Sequence, residues 1–268
     1  MIVVTGATGN VGRTLVRALV DAGEEVTAVS RRDGDVPAGV RHVRADLADP
    51  RSLPLDGADA LFLLTPGDFH AAGDLDKVVE AARHVRRVVL LSSVGVASGR
   101  HRPALEESVT RSDMDWTILR PGGFASNAMQ WAESVRTTRT VAAPFADVAI
   151  PVIDPDDIAA VAAVVLREDG HTGRTYQLSG PARISPRDQA AAIGVALGEP
   201  VRFVELTRAQ AREGLLRFMP EPVADITLDA LGEPAPVELL VSEDMPQLLG
   251  RPARPFVEWA RRNVAVFK

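Results

Sequence analysis

Apolar residues follow two alternating patterns along the first 121 positions. Residues 1–4 form a short β-branched run, which is typical of a buried parallel strand. Residues 10–22 repeat apolar side chains at helical spacing, and Gly23 ends that predicted helix. The alternation predicts strands at 1–4, 25–30, 40–44, 58–64, 87–92 and 116–119, and helices at 10–22, 75–84 and 103–112. Strands alternating with helices predict an α/β fold on a doubly wound parallel sheet.

The second half of the chain is less regular. Its pattern predicts strands at 175–178 and 201–206, and helices at 156–166, 185–197, 207–217 and 255–263. Residues 220–236 are rich in proline and acid, which predicts a loop or an irregular lobe. We therefore expect a core of residues 1–150 and a small C-terminal α/β lobe, 151–268, interwoven with that core.

A glycine-rich loop, Thr5-Gly6-Ala7-Thr8-Gly9-Asn10-Val11-Gly12, lies directly between the first strand and the first helix. Gly6 permits a tight turn, Gly9 lets a pyrophosphate approach the backbone, and Gly12 lets the helix pack on the strand. The amides and dipole of the helix start then attract phosphate. A plain glycine turn is the alternative, but the strand–turn–helix context is that of a Rossmann-type dinucleotide site. We predict NAD(P) binding by the core and substrate binding by the smaller lobe.

The end of the second predicted strand bears on which dinucleotide is bound. NAD enzymes usually place an acid there, which binds the ribose 2′-hydroxyl. This chain has Ser30, Arg31 and Arg32, which suit a 2′-phosphate. Solvated arginines are the alternative, and the nearby Asp33 and Asp35 weaken the distinction. The sequence favours NADP(H), with NAD(H) as the second option.

Polar residues also follow the third, fourth and fifth predicted strands. These carboxyl ends are where open α/β sheets bind ligands. An acid after the third strand could reach the adenine amino group, or could simply serve a surface turn. The candidate positions are Asp46, Leu47, Leu64, Thr65, Pro66 and Ser92.

Composition narrows the function classes. Lys+Arg is 30 and Asp+Glu is 36 in 268 residues, so the net charge of −6 argues against general nucleic-acid binding. The absence of cysteine excludes disulfides, thiolate nucleophiles and iron–sulfur clusters. The longest strongly apolar stretch, 158–166, falls far short of the roughly 20 residues of a membrane span. No histidines have ligand spacing and no flavin site is evident, so we expect no metal and no flavin. The lack of disulfides fits a cytoplasmic protein, and the charge and hydropathy predict no nucleic-acid or membrane partner.

Several stretches together resemble the NmrA-like branch of the atypical short-chain dehydrogenases. They are VVTGATGNVGRTLVRALVDAG, RADLADPRSL, LLTP, VVLLSSVG, ALEESVTRSDMDWTILRPGGFASNAM and PVIDPDDIAAVAAVVL, with further matches to LLGRPARPFVEWARRN. The resemblance covers nearly the whole chain. It implies NAD(P)H binding and membership among quinone, azo-dye and triphenylmethane-dye reductases, or among cofactor-sensing proteins without turnover.

The resemblance also implies roles for individual residues. The residues that would line the cofactor are Gly6, Thr8, Gly9, Asn10, Val11, Arg31, Arg32, Asp46, Leu64, Thr65 and Pro66. Ser92, Pro121 and Gly122 would lie near the nicotinamide end. Phe124 and Asn127 would begin the substrate side.

The chain departs from the ordinary short-chain dehydrogenases at their catalytic pair. Those enzymes use Tyr-x-x-x-Lys, in which the lysine lowers the pKa of the tyrosine. The single tyrosine here, Tyr176, has no lysine four residues on, and the two lysines are Lys77 and Lys268. Alcohol–ketone interconversion by that pair is therefore excluded, and another proton source is needed.

Two histidines are candidates for that proton source. His101 follows the fifth predicted strand, and His70 lies just beyond Pro66. Imidazole as a class exchanges protons near neutral pH. Exposed loop histidines are the alternative interpretation of both. The acids Asp154, Asp156 and Asp157 are better explained as cap and first-turn residues of the following helix than as a base.

Aromatic and apolar residues after the sixth predicted strand could form a pocket for a flat aromatic substrate. Ordinary core packing is the alternative. The candidate substrate residues are Phe124, Asn127, Met129, Trp131, Phe145 and Phe218, together with Phe69, which precedes that strand.

Three functions remain open at this point. The first is an NADPH-dependent oxidoreductase that transfers hydride to a quinone-like or polycyclic aromatic substrate. The second is a non-catalytic NADP(H)-sensing regulator, which the missing Tyr/Lys pair motivates. The third is a tailoring enzyme of an aromatic natural product, either a reductase or an oxygenase. A small aromatic substrate is the expected partner, and a homodimer is left open.

Overall fold

A computed structural model describes residues 1–65 and 74–268. Pro66, Phe69 and His70, three of the candidate site residues, lie outside the described residues. The chain forms two compact units. Unit 1 comprises residues 1–121, 155–178 and 244–251, and unit 2 comprises residues 122–154, 179–243 and 252–268.

The strands carry the labels β1 to β9 in chain order. They are β1 Ile2–Thr5, β2 Val26–Ser30, β3 Arg41–Arg44, β4 Ala60–Leu64, β5 Arg87–Leu91, β6 Asp115–Pro121, β7 Thr140–Pro144, β8 Arg174–Leu178 and β9 Arg202–Leu206. The α-helices of the described residues are α1 Asn10–Asp21, α2 Leu75–Ala81, α3 Val94–Ala97, α4 Ala104–Thr110, α5 Ala132–Thr138, α6 Pro155–Arg167, α7 Pro186–Leu197, α8 Arg208–Leu215, α9 Glu221–Gly232, α10 Asp244–Leu249 and α11 Phe256–Arg262.

Unit 1 is built on a seven-stranded parallel sheet in the order β3-β2-β1-β4-β5-β6-β8. The chain builds outward from β1 to β3, then returns to the centre and adds β4 on the other side. Strand order therefore reverses between β1 and β4, and open α/β sheets bind ligands outside such a switch point. The predicted doubly wound parallel sheet is confirmed.

The central strands are mostly apolar and are buried along their whole length, as expected of a parallel sheet with helices on both faces. Every residue of β1, β2 and β5 is buried. Helix α1 buries Leu15 and Leu19 completely, which is the face that its apolar spacing predicts. Its neighbour α6 is joined to it by a hydrogen bond from the Thr14 hydroxyl to the Asp156 carboxylate at 2.8 Å. This hydrogen bond joins the first half of α1, which follows the glycine-rich loop, to the first turn of α6.

Unit 2 contains a second, two-stranded parallel sheet. Strand β7 pairs with β9 in the register Thr140↔Arg202 to Pro144↔Leu206. This pairing places the segment after residue 121 in unit 2, so the chain leaves unit 1 well before residue 150. The core of unit 2 includes Trp131, Trp259 and Phe267.

The prediction of a loop or irregular lobe at 220–236 is wrong for most of its length, because residues 221–232 form helix α9. Its proline, Pro222, occupies the first turn, where a missing N–H costs no hydrogen bond. Glu221 in the same turn is favoured by the helix dipole. Strand β7 was also not anticipated, and its partner lies about 60 residues further along the chain.

Within residues 1–65 and 74–268, no helix combines the length and the apolar character that crossing a bilayer requires.

Candidate cofactor-binding and active site

The glycine-rich loop connects β1 to α1 as the sequence predicts. Gly6 has φ +64°, and Gly9 takes the N-cap position of α1. A Cβ at Gly12 would lie 2.2 Å from the Gly6 carbonyl oxygen, so only glycine permits this closeness of loop and helix. Among the described residues, no side chain caps this end of α1, and its first turn carries no acid. The loop therefore fits a dinucleotide pyrophosphate, whose charge the helix start would attract.

Hydrogen bonds of the Thr5 side chain join the carboxyl end of β1 to that of its neighbour β4. The buried Thr5 hydroxyl donates to the Phe62 carbonyl at 3.0 Å and accepts from the Leu64 amide at 2.8 Å. The Leu64 side chain packs against Gly6, where a Cβ would lie 3.0 Å from Cδ2. These contacts place Leu64 and Thr65 beside the glycine loop. Val11 is buried in unit 1, so its side chain faces the core and only its backbone could contact a cofactor.

The end of β2 presents two exposed arginines next to a fixed hydroxyl. Arg31 and Arg32 are exposed, whereas Ser30 is buried. The Ser30 hydroxyl donates to the Arg32 carbonyl at 2.6 Å. His42 Nε2 lies 2.7 Å from the same hydroxyl oxygen. Because the hydroxyl has only one proton, His42 is the donor in the second bond, which assigns the Nε2–H tautomer.

His42 is a residue that the sequence pattern does not single out. It sits on β3, which pairs with β2 in the register Ser30↔Arg44. The signal that could have found it is its place on the strand next to Ser30, within the stretch where a 2′-phosphate would bind. The connection after β2 also approaches the glycine loop, because a Cβ at Gly34 would lie 2.3 Å from Thr8 Cγ2.

The acid that follows β3 is engaged in a turn. Asp46 is exposed, and its Oδ1 accepts from the Ala48 amide at 3.0 Å. Its backbone amide is bonded to the Ser52 hydroxyl at 3.2 Å. The turn interpretation therefore accounts for one carboxylate oxygen. Leu47 is buried in the core of unit 1, so its side chain does not face a ligand.

A buried carboxylate joins the ends of β5 and β6. Glu106 of α4 is 5% exposed and accepts from the Ser92 hydroxyl at 2.5 Å. The Arg120 guanidinium binds it through both oxygens, with Nε at 2.9 Å from Oε1 and Nη2 at 2.5 Å from Oε2. The hydrogen bond to Glu106 raises the pKa of Arg120. Sequence reasoning identified Ser92 but missed Glu106 and the side chain of Arg120.

A second polar group follows Ser92. The Ser93 hydroxyl accepts from the Gly95 amide at 3.0 Å and caps the short helix α3. The exposed His101 returns to this helix, with its amide 2.9 Å from the Gly95 carbonyl. A Cβ at Gly95 would lie 2.5 Å from His101 Nδ1. The structure thus brings His101 to the helix that follows Ser92 and Ser93.

The lone tyrosine belongs to a different environment. The Tyr176 hydroxyl lies 2.8 Å from His171 Nδ1, and burial raises the tyrosine pKa and lowers the pKa of His171. Tyr176 lies on β8, the edge strand beyond β6. Its raised pKa and its histidine partner make it unsuited to proton donation near neutral pH.

The substrate candidates of unit 2 have different environments. Trp131 is 9% exposed and packs in the core, whereas Phe218 is 86% exposed. Met129 and Asn127 are exposed, and the Phe145 ring packs against Gly232. Phe124 is half-buried and bridges to Ile153. Gly122 is half-exposed directly after the buried Pro121. The environments of Trp131 and Phe218 are therefore those of a core and a surface residue.

The acids around Pro155 serve the fold. Asp156 and Asp157 occupy the first turn of α6, as the cap interpretation expected. The fully buried Asp157 accepts from Arg251 Nη2 at 2.6 Å within unit 1. Asp154 pairs with Arg262 within unit 2. Over the described ranges, no three His, Cys, Asp or Glu side chains form a metal-binding group.

Comparisons with known proteins agree with this geometry. Residues 6–169 match the model of an NAD(P)H-binding family. A reductase of (4-alkanoyl-5-oxo-2,5-dihydrofuran-3-yl)methyl phosphate from Streptomyces griseus is 36% identical, over 100% of this chain and 99% of its own. An NAD(P)H azoreductase from Xenophilus azovorans is 34% identical, again over 100% of this chain and 99% of its own.

Solved structures share the fold. The Escherichia coli NADPH-dependent quinone oxidoreductase in complex with NADPH has a TM-score of 0.80 at 24% identity, covering 98% of this chain and 99% of that one. NmrA, a negative transcriptional regulator solved with NADP, has a TM-score of 0.76 at 18% identity, covering 99% and 95%. The glycine-rich loop, the switch point and the full-length relatives lead to one conclusion: the chain, whose fold is shared by NmrA, belongs to an NAD(P)H-binding family of oxidoreductases.

Proposed function

We propose that this oxidoreductase uses NADPH to reduce an electron-poor conjugated double bond, with quinones and polycyclic aromatic ketones as the substrate class. The observation that carries the proposal is the Glu106–Arg120 ion pair facing Ser92 at the carboxyl ends of β5 and β6. The group bonded to Ser92 is a carboxylate held by a guanidinium. Such a pair keeps its charges and supplies no proton to an alkoxide.

The substrates of the relatives share a feature that suits this arrangement. A quinone, an azo compound and an unsaturated lactone each contain a double bond conjugated to electron-withdrawing atoms. When the acceptor takes a hydride at one end of such a system, the electron pair moves to an oxygen or nitrogen at the other end. That anion is stabilised by delocalisation, so protonation need not accompany hydride transfer. The reaction is completed by one proton, from water or from His101.

The cofactor would be held by the chain's own groups in three places. The glycine loop and the start of α1 would bind the pyrophosphate. Arg31 and Arg32 would bind the 2′-phosphate, with the Ser30–His42 bond fixing their backbone. The carboxyl ends of β4 and β5, where Thr65 and Ser92 lie, would receive the nicotinamide half of the cofactor. When bound, NADPH supplies the hydride for the reaction.

The test is NADPH oxidation by the purified protein with a naphthoquinone, an azo dye and an unsaturated butenolide as acceptors. NADPH binding is measured in the same samples. The proposal expects multiple turnovers with the quinone, and it expects Gly9→Val to abolish both binding and turnover. Val195→Ala, a change at a 61% exposed side chain, serves as the control that retains activity. Firm NADPH binding without turnover on any acceptor would refute the proposal and favour a sensing role.

A further inference from the structure

Glu106 fixes the direction of the Ser92 hydrogen bond. An ionised carboxylate only accepts hydrogen bonds, and a serine hydroxyl has a single proton and two lone pairs. Oε1 of Glu106 lies 2.5 Å from Ser92 Oγ, so the serine proton is committed to Glu106. The partly exposed Ser92 is left with its lone pairs for any further partner. It can accept a hydrogen bond from a ligand but cannot donate one.

Arg120 stabilises the direction of the hydrogen bond from Ser92 to Glu106. It binds Glu106 through Nε and Nη2, so both carboxylate oxygens have charged donors. The hydrogen bond to Glu106 raises the pKa of Arg120, and the guanidinium therefore keeps its proton. A carboxylate held by two charge-assisted bonds has no free proton to return to Ser92. The three residues act as a fixed acceptor rather than as a proton relay.

The position of Ser92 in the sheet indicates which ligand group would donate a hydrogen bond to it. Ser92 directly follows β5, and β4 separates β5 from β1, so Ser92 and the Ser30–Arg32 segment lie on opposite sides of the switch point. A dinucleotide bound across that point places its nicotinamide half on the β4–β5 side. The carboxamide is the group of the nicotinamide ring that offers N–H donors.

We propose that Glu106 is a positioning residue that holds Ser92 as the hydrogen-bond acceptor for the nicotinamide carboxamide. The inference rests on the proposed use of NADP(H). It assigns Ser92 to binding the cofactor and excludes it as a proton donor to the substrate. It also gives the buried Glu106–Arg120 pair a role beyond stability, since its loss would free the serine hydroxyl to rotate.

Direct binding of three oxidised cofactors by calorimetry tests the proposal without turnover. NADP⁺ and its thionicotinamide analogue both retain the amide N–H donors. The 3-acetylpyridine analogue replaces the amino group by a methyl group. The native protein is expected to bind the acetylpyridine analogue about fivefold more weakly than the other two, which is the size of one neutral hydrogen bond. Ser92→Ala is expected to bind all three alike.

The role of Glu106 is tested by removing the ion pair as a unit. Glu106→Leu combined with Arg120→Met leaves no buried charge, a replacement that proteins often tolerate. It is expected to reduce the fivefold discrimination to less than about twofold. The matched control is Asp157→Asn combined with Arg251→Met. It removes an ion pair of unit 1 that has a buried carboxylate and lies far along the chain from Ser92, and it should keep the discrimination.

Three outcomes would overturn the inference. They are equal binding of all three cofactors by the native protein, discrimination that survives Ser92→Ala, and undiminished discrimination in the Glu106→Leu, Arg120→Met variant. Each leaves the proposed function standing if acceptors are still reduced. Conversely, discrimination without turnover on any acceptor would refute the proposed function and leave the role of Glu106 intact.

Discussion

The ring of His101 packs directly against Gly95, in space that the Cβ of any other residue at position 95 would occupy. A Cβ at Gly95 would lie 2.5 Å from Nδ1, 2.7 Å from Cε1 and 2.9 Å from Cγ of that imidazole. His101 is exposed, so its ring can rotate away at little cost if a methyl group is added. Gly95→Ala is therefore a way to displace His101 without removing it.

If His101 protonates the reduced substrate, Gly95→Ala and His101→Ala should lower kcat to a similar extent. General acid catalysis contributes about 10²-fold at the lower end of its range, which is the loss expected of each variant. The double variant should lose no more than either single one, because both changes remove the same contact. Steady-state rates with a naphthoquinone and the pH profile of kcat measure this.

Gly214→Ala is the matched control for the glycine change. Gly214 lies in α8, and among the described residues no atom outside its own stretch of helix lies within 4 Å of its Cβ position. The rate of this variant should equal that of the native protein. Unchanged rates in both the Gly95 and the His101 variants would assign the proton to water.

Two glycines of the loop should respond differently to the same added methyl group. At Gly12 a Cβ meets backbone, 2.2 Å from the Gly6 oxygen and 2.8 Å from Ala7 Cα, and no rotamer change relieves that overlap. Gly12→Ala should lower the free energy of unfolding by about 1–3 kcal/mol or more. At Gly9 the nearest atom is the Gly6 carbonyl oxygen at 3.2 Å, a tight contact that a small backbone shift relieves, so Gly9→Ala should cost less stability than Gly12→Ala.

For NADPH affinity we expect Gly9→Ala to have the direct effect, although it costs less stability than Gly12→Ala. Gly9 is where the pyrophosphate would approach the backbone, so Gly9→Ala should weaken NADPH binding by at least about tenfold. Chemical denaturation and NADPH titration on the two variants provide the comparison. A Gly9→Ala protein that binds NADPH normally would contradict the assignment of the loop.

The 2′-phosphate site can be tested through His42 as well as through the arginines. Arg31→Ala combined with Arg32→Ala should weaken NADPH far more than NADH, because only NADPH carries the charge that they would bind. His42→Leu removes the bond to Ser30 and should reduce the NADPH preference partially, whereas His42→Gln retains a donor and should preserve it. The ratio of the two dissociation constants is the measurement. Equal losses for NADH and NADPH would show a structural role alone.

The parts of the site that follow from local pattern were predictable from the sequence. The glycine loop, the strands around it and Arg31 and Arg32 depend on residues within a few positions of one another. Glu106 depends on Ser92 and Arg120, each 14 positions away, which meet through the pairing of β5 with β6 and the docking of α4. Periodicity predicts the helix that carries Glu106, but it does not indicate which side chains its carboxylate will meet.

His42 and helix α9 show two other limits. His42 becomes informative only when β3 is placed beside β2, which turns a strand residue into the partner of Ser30. Helix α9 was obscured by prolines that lie at its beginning and beyond its end rather than inside it. For His42 the decisive factor is the tertiary pairing of two strands, whereas for α9 it is the position of each proline relative to the ends of the helix.

The His171–Tyr176 pair predicts a pH dependence of stability. Burial lowers the pKa of His171 below its usual value near 6.5, so the unfolded chain binds this proton more readily than the folded protein. The stability associated with neutral His171 is therefore fully present above pH 6.5 and is lost as pH falls below it. His171→Gln should show a shallower loss between pH 7.5 and 5 than the native protein. Tyr176→Phe should keep the native slope, because burial rather than the hydroxyl is the main cause. Urea unfolding across this range measures both slopes, and parallel curves for His171→Gln and the native protein would contradict the assignment.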